Sequence, residues 1–316
     1  MQRIGEEAPV LQPTAVAVLR PRRRPARRWL VPWLFALPAL LIHVLVVAGP
    51  SLATFGMALF DWNGLTVGPF VGLQNFVYIF TRDETFPVAL ANNLKWTLIA
   101  LSLPVWLALA VAVMVRSVRH GGIQVAYRTI FFIPSTIAGV VVARIWQWIY
   151  HPFYGINALL STSPVLSNLA FGWLTDPNVA IYAVALADNW RTWGFLMVVF
   201  LAALHQIDPA LYEAAQVEGA NRWQIFRYVT VPSLRPTIVF VMVNGIIGSF
   251  LVIELIYLMT QGGPGNASQV LSMWIYQQAV FEYRPDYASA IAVVTTLMLS
   301  VVIAGFVIVR KRGWEV

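Results

Sequence analysis

Six apolar segments alternate with polar stretches along the chain. A membrane-spanning helix needs roughly 20 apolar residues, because a helix rises about 1.5 Å per residue and the hydrocarbon core is about 30 Å thick. The pattern predicts spanning helices near residues 31–60, 93–115, 128–150, 179–204, 237–259 and 288–309. We therefore expect an all-α integral membrane protein with six transmembrane helices.

The composition supports a membrane protein. Hydrophobic residues make up 59% of the 316 residues and charged residues 11%, which is too little polar surface for a soluble globule of this length. The chain has no cysteine, which excludes disulfides and thiolate metal sites, and its four histidines lack the spacing of metal ligands. We expect no metal site and no cofactor in this chain.

Basic residues are divided unequally between the two sides of the predicted membrane. Residues 1–28 carry seven arginines, and further basic residues follow in the 116–128 loop, in the 205–236 loop and at the C-terminus. Because Lys and Arg accumulate in cytoplasmic loops, both termini are predicted to be cytoplasmic. We interpret residues 1–28 as a disordered basic tail that contacts anionic lipid rather than nucleic acid, and residues 29–316 as the six-helix transmembrane domain.

One polar stretch, EAAQVEGANRWQIFRYVTVPSLRP at residues 213–236, separates the fourth and fifth predicted spans. Residues typical of helix caps divide the 205–236 loop into two short helices: Asp208 with Pro209 at the first start, Gly219 at its end, and Asn221 with Gln224 at the second start. Such a helical hairpin suits docking into the groove of a partner. Packing on its own helix bundle is the alternative.

This stretch also resembles the EAA loop of permease subunits of binding-protein-dependent ABC importers. The matching positions are Glu213, Ala214, Ala215, Gly219, Ala220, Phe226 and Pro232, and we add Arg222, the basic start of the second helix. Three further segments, FVGLQNF, FFIPSTIAGVVVARIWQWIYHPFYGINALL and MTQGGPGNASQVLSMWIY, are similar to the carbohydrate branch of these permeases, including maltose-type and glycerol-3-phosphate-type subunits. The resemblance implies a type I importer permease fold and a hairpin that couples the chain to an ATPase.

The resemblance also implies partners and a location. It implies a second homologous permease subunit, two ATP-binding subunits and an extracytoplasmic binding protein, assembled in a prokaryotic cytoplasmic (inner) membrane. The sequence has no G-x-x-x-x-G-K-[ST] motif, and its only lysines are Lys95 and Lys311. We therefore expect ATP and Mg²⁺ to be bound by the partner subunits, and the chain itself not to be an enzyme. The implied cargo is a sugar or sugar derivative: a monosaccharide, a disaccharide, an oligosaccharide or glycerol phosphate.

Charged and polar residues within the predicted spans are candidates for the substrate path, since charges are costly inside a membrane. The candidates on the fourth and fifth helices are Asp188, Trp190, Arg191, Thr192, Phe195, Asn244, Gly245, Ser249 and Glu254. Structural alternatives remain open: Asp188 can pair with Arg191, Glu254 can pair with Arg144 of the third helix, and the small residues of the fifth helix can serve packing.

Two other classes of protein share these features. An ion-coupled secondary transporter of a small polar solute would use Asp188 or Glu254 for its ion, and it would transport without a partner. A membrane-embedded enzyme would need a nucleophile, a base and an orienting group, and the sequence offers no such set.

Overall fold

The computed structural model describes residues 27–162 and 164–313, so most of the predicted 1–28 tail lies outside the described residues. The described residues divide into two compact units, with the boundary between Leu52 and Ala53. The described part of the first unit consists of helix α1 (Arg27–His43), a π-helical turn (Val44–Ala48) and the start of α2 (Gly49–Met57).

The second unit is mainly helical. It begins with a short antiparallel hairpin of β1 (Phe60–Trp62) and β2 (Val67–Phe70). The helices that follow are α3 (Gln74–Thr81), α4 (Thr85–Arg116), α5 (Gly121–Thr136), α6 (Gly139–Ile149), α7 (Ile156–Ser161), α8 (Ala180–His205), α9 (Pro209–Val217), α10 (Arg222–Ile225), α11 (Val231–Ser233), α12 (Arg235–Leu251), α13 (Glu254–Met259), α14 (Leu271–Tyr276) and α15 (Pro285–Gly313).

Three of these helical segments are long and apolar enough to cross a membrane: Pro32–Met57, Thr85–Arg116 and Pro285–Ile308. Three pairs of helices satisfy the same criterion together but bend sharply where they join. These are α5 with α6 at 94°, α8 with α9 at 73°, and Arg222–Ser233 with α12 at 66°. The described residues thus contain between three and six candidate spans.

The third predicted span, 128–150, is not one continuous helix. Helix α5 ends at Thr136, and α6 begins at Gly139 after two residues of non-helical backbone. The hydroxyls of Ser135 and Thr136 donate to backbone carbonyls of the preceding turn, Phe132 and Ile133, at 2.7 and 2.8 Å. These bonds add side-chain donors to the carbonyls of the last turn of α5, next to the break.

The fifth predicted span, 237–259, is also interrupted. Helix α12 ends at Leu251, and α13 starts at Glu254. The backbone at Val252 is extended, and its carbonyl accepts a hydrogen bond from the Ser272 hydroxyl instead of from the next helical turn. Ser272 belongs to α14, which is remote in sequence from Val252, so the helical pattern of the sequence did not reveal the break.

Buried apolar side chains form three clusters around the long helices. One cluster lies between α6, α8 and α13, the second between α4, α8 and α12, and the third between α3, α4, α14 and α15. A buried asparagine of α4, Asn93, joins these layers through its side chain. Its Nδ2 donates to the Ser249 backbone carbonyl at 2.7 Å, and its Oδ1 accepts from the Leu271 backbone amide at 2.7 Å. Helix α4 is therefore fixed to both α12 and the start of α14.

Candidate functional site

A cavity of about 430 Å³ opens between α4, α8, α12 and the break that precedes α13. We call it the α8–α12 cavity. The candidate residues that line it are Asp188, Arg191, Thr192, Phe195, Asn244, Gly245, Ser249 and Glu254. The structure thus brings together most of the residues selected from the sequence, and their role in a substrate path stays a prediction.

Trp190 does not line this cavity. Its ring packs edge-on against Trp146, with the centroids 6.0 Å apart, beside the buried cluster of α6, α8 and α13. Residue 190 lies roughly 200° around the helix from Asp188, because each residue turns an α-helix by about 100°. Trp190 therefore faces the protein core, whereas the Asp188 side of α8 faces the cavity.

Three charged side chains meet at the wall of the cavity, and we call them the charged triad. Arg191 Nη2 donates to Asp188 Oδ1 at 3.0 Å, and Arg191 Nη1 lies 3.6 Å from Glu254 Oε2. The pairing of Asp188 with Arg191 confirms one structural alternative raised by the sequence. One guanidinium is shared by two carboxyl groups.

The pairing of Glu254 with Arg144, an alternative that the sequence left open, is wrong. Arg144 Nη1 instead donates to Gln147 Oε1 at 3.1 Å, within its own helix. The break before α13 directs Glu254 towards the start of α6, where a β-carbon added at Gly139 would lie 2.3 Å from the carboxylate. The absence of a side chain at Gly139 leaves room for Glu254 at the helix N-terminus, where the helix dipole favours a negative charge.

Removal of the arginine from the charged triad is expected to destabilise the protein. Arg191→Met leaves two carboxyl groups close together without their cation, and partial exposure to solvent limits the cost to about 1–2 kcal/mol. Thermal unfolding of the purified protein, or of its complex, measures this effect. In a double-mutant cycle, Asp188→Asn should recover part of the lost stability, and simple additivity of the two substitutions would contradict the pairing.

Asn244, Gly245 and Ser249 form a stripe of small and polar residues on α12, in the fifth predicted span, and part of this stripe serves packing. Ser249 is buried; its hydroxyl is 2.6 Å from the Thr97 hydroxyl of α4 and donates to the Ile246 carbonyl at 2.7 Å. Asn244 is exposed at the cavity wall and donates to the Phe240 carbonyl at 2.8 Å. The stripe therefore combines a helix contact at Ser249 with an accessible polar group at Asn244.

Among the cavity residues with hydrogen-bonding side chains, Trp96 and Asn189 were not selected from the sequence. Trp96 lies on α4 between Asn93 and Thr97, the two polar residues of α4 that bind α12. A tryptophan between two polar residues in an otherwise apolar helix was the available signal. Asn189 directly follows Asp188, and helical periodicity alone did not indicate that it also lines the cavity.

A second candidate site is the polar hairpin, Asp208–Ser233. Its predicted caps are confirmed. Asp208 Oδ1 accepts from the Ala210 amide at 2.9 Å, and Gly219 has a φ of +81°, the left-handed conformation that ends many helices. Asn221 and Gln224 form a reciprocal capping box with bonds of 2.8 and 2.9 Å.

The positions of the hairpin that resemble the EAA loop differ in exposure. Glu213, Ala214, Gly219 and Arg222 are exposed, whereas Ala215, Ala220, Phe226 and Pro232 are half-buried. Phe226 packs against the cluster between α4, α8 and α12, so it fastens the hairpin to the helices. The exposed set is available to a partner.

Tyr212 and Arg116 anchor the base of the hairpin, and neither was among the site residues selected from the sequence. Arg116 Nη1 donates to the Tyr212 hydroxyl at 2.8 Å, and its guanidinium lies 4.6 Å from the centre of the tyrosine ring. The Tyr212 hydroxyl also lies 3.4 Å from that of Thr230. The three residues connect α9, the second half of the hairpin and the last turn of α4.

The chain is similar to known transport proteins. Residues 126–312 match the family described as "binding-protein-dependent transport system inner membrane component". The chain is 33% identical over 270 residues to a probable ABC transporter permease protein of Bacillus subtilis, covering 85% of this chain and 92% of that protein. It is 30% identical over 288 residues to the trehalose/maltose transport system permease protein of Thermococcus litoralis, covering 89% and 94%.

Solved structures give the same result. The chain matches a bacterial ABC transporter involved in the import of the acidic polysaccharide alginate with a TM-score of 0.80 at 27% identity, over 92% of this chain and 97% of that one. The alginate transporter in complex with an alginate pentasaccharide-bound periplasmic protein matches with a TM-score of 0.78 at 27% identity, over 90% and 95%. The chain is thus a multi-pass membrane protein with the type I ABC importer permease fold, and it belongs to the family of binding-protein-dependent transport system inner membrane components.

Proposed function

We propose that this chain is a permease subunit that moves a sugar or sugar derivative into the cell by alternating access, driven by ATP hydrolysis in partner subunits. It spans a prokaryotic cytoplasmic membrane six times, with α5 and α6 together as the third span and with α8 and α12 contributing the fourth and fifth, and both termini lie in the cytoplasm. The unequal distribution of Lys and Arg supports this orientation. The family description, an inner membrane component, is consistent with the location.

The polar hairpin is the single observation that carries the proposal. It exposes apolar side chains to solvent: Val217 is 89% exposed and Trp223 is 68% exposed. An amphipathic helical hairpin with exposed apolar residues suits insertion into the groove of another protein. The resemblance to the EAA loop supports the ATP-binding subunit as that protein, and Glu213, Ala214 and Arg222 are exposed on the hairpin.

The anchored base of the hairpin explains how a movement of the ATPase would reach the cavity. Tyr212 ties α9 to Arg116 at the end of α4, and Phe226 packs on the cluster shared by α4, α8 and α12. The same three helices line the α8–α12 cavity. A displacement of the hairpin is therefore transmitted to the walls of the cavity through packed side chains, and the cavity opens to alternate sides.

The proposed complex also contains a second homologous permease, two ATP-binding subunits and an extracytoplasmic binding protein. The family description and the alginate complex support a binding protein. Relatives whose names include trehalose, maltose and alginate support carbohydrate cargo. ATP and Mg²⁺ belong to the partner subunits, since the sequence contains no phosphate-binding lysine motif.

Glu213→Ala is expected to uncouple the complex. Loss of one well-placed contact at a docking surface costs about 1.4 kcal/mol, so stimulation of the ATPase by loaded binding protein should fall about tenfold. Glu282→Ala, which removes the same charge from an exposed position outside the hairpin, is the matched control and should leave stimulation unchanged. Equal stimulation in the two variants would exclude a coupling role for Glu213.

Co-purification tests the function itself. The affinity-tagged chain, expressed with its partner subunits, should retain an ATP-binding subunit through size-exclusion chromatography. The purified complex should hydrolyse ATP faster when loaded binding protein is added. An ion-coupled secondary transporter predicts neither result, so purification of a chain without an associated ATPase would favour that alternative.

A further inference from the structure

The charged triad leaves no unshared positive charge in the α8–α12 cavity. Among the described residues that line the cavity, Arg191 is the one basic side chain, and it already contacts both Asp188 and Glu254. An anionic group that entered the cavity would meet Glu254 and would have to compete with two carboxyl groups for one guanidinium. The electrostatics of this wall therefore oppose negatively charged cargo.

Glu254 is also the accessible member of the triad. Its side chain is 49% exposed, against 21% for Asp188 and 29% for Arg191. Among the described residues, the Glu254 carboxylate has the contact with Arg191 at 3.6 Å but no hydrogen bond. Its oxygens are thus free to accept hydrogen bonds from hydroxyl groups in the cavity.

The position of Glu254 is set by the backbone. It is the first residue of α13, directly after the break in the fifth span, and it lies against the bare backbone of Gly139. The rest of the wall contributes an exposed phenyl ring, Phe195, and the polar side chains of Thr192 and Asn244. Apolar ring faces together with hydrogen-bonding groups suit a polyhydroxyl compound.

We infer that Glu254 makes this cavity selective for electrically neutral polyhydroxyl cargo and excludes anionic derivatives such as sugar phosphates and uronates. The inference rests on the proposed function and narrows its cargo. It also separates this chain from the alginate transporter, whose described cargo is acidic although the fold is shared. Neutral sugars and polyols remain as candidate cargo, whereas glycerol phosphate, which the sequence left open, is excluded.

The absence of cysteine from the sequence permits a direct test of the charge in the cavity. Gly248 lines the cavity, and a β-carbon added there meets no atom within 4 Å, so Gly248→Cys places a thiol at the wall without steric conflict. The detergent-solubilised complex is treated with two methanethiosulfonates, one carrying a trimethylammonium group and the other a sulfonate. Each rate is divided by the rate of that reagent with 2-mercaptoethanol, and the complex without Gly248→Cys gives the background.

The cationic reagent is expected to modify the introduced thiol faster than the anionic one. Glu254→Gln, which keeps the size of the side chain, should lower the cation-to-anion rate ratio about tenfold, while Glu254→Asp should preserve most of it. High salt should reduce the ratio in the parent Gly248→Cys complex, which provides a measurement even if Glu254→Gln assembles poorly. The inference would be overturned by a normalised cation-to-anion rate ratio of one or less, or by a ratio that changes neither with salt nor with Glu254→Gln.

The inference and the proposed function fail in different ways. Loss of ATPase association would remove the importer function, whatever the thiol reactivity. If instead the complex couples normally but its binding protein delivers a uronate or a phosphate ester that is taken up, the importer function stands and the charge selectivity is wrong. Uptake of a neutral sugar, together with the expected rate ratios, supports both.

Discussion

Gly194→Ala is expected to prevent stable packing of α8 against α5. A β-carbon added at Gly194 would lie 1.9 Å from the Phe131 carbonyl oxygen and 2.9 Å from the Phe131 carbonyl carbon. These are backbone atoms, so no side-chain rotation relieves the clash, and the two helices must separate. Overpacking in a tight core costs about 1–3 kcal/mol, and we place this substitution at about 3 kcal/mol or more because the obstacle is backbone. The expected result is a large fall in the yield and thermal stability of the purified complex.

Gly248→Ala is the matched control for this prediction. Gly248 also lies inside a long helix, α12, but an added β-carbon there contacts nothing within 4 Å. Alanine should be neutral or slightly stabilising at this position, because it favours a helix by about 1 kcal/mol over glycine. The stability of each variant is read from its melting temperature. Similar melting temperatures for the two variants would show that the helices are not in the close contact described above.

Asp83→Ala should produce the second large effect. Asp83 Oδ1 accepts from the Thr85 and Phe86 amides at 2.8 and 2.9 Å and so caps α4. Its other oxygen accepts from Trp274 Nε1 at 2.8 Å and from the Tyr287 hydroxyl. Removal of the carboxylate costs the cap and leaves the polar atoms of two aromatic side chains unpaired, which together amount to about 3 kcal/mol.

Asp176→Ala is the appropriate comparison for Asp83. Asp176 likewise accepts a local amide hydrogen bond, from Asn178 at 2.8 Å, but that bond is exposed. We expect this variant to lose about 1 kcal/mol or less, since surface substitutions away from buried networks have small effects. The two variants are compared by thermal unfolding of the purified complex. If Asp83→Ala were no less stable than Asp176→Ala, the four hydrogen bonds of Asp83 would not hold α4 to α14 and α15.

Local features of this chain could be predicted from the sequence. The caps at Asp208, Gly219 and Asn221 depend on residues within a few positions of each other, and the structure confirms them. The pairing of Asp188 with Arg191 is local in the same sense, since the two residues are neighbours on one helix. The apolar segments likewise located the long helices, although α4 starts earlier than expected because Asp83 caps it.

The features that escaped prediction depend on residues far apart in sequence. The contact between Glu254 and Arg191 requires the break at Val252, and that break is stabilised by the hydroxyl of Ser272. The anchoring of Tyr212 by Arg116 joins opposite ends of the chain segment between α4 and α9. Periodicity and capping rules describe one helix at a time, so they cannot report how a bend brings a second helix to the same cavity.

Uptake into proteoliposomes tests the central claim most directly. The complete complex is reconstituted with ATP and Mg²⁺ on the side of the ATP-binding subunits, and loaded binding protein carrying radiolabelled ligand is added to the other side. We predict uptake that requires both ATP and the binding protein, persists in the presence of ionophores and is lost when the ATP-binding subunits are omitted. Uptake by this chain alone, driven by an ion gradient without ATP, would contradict the account.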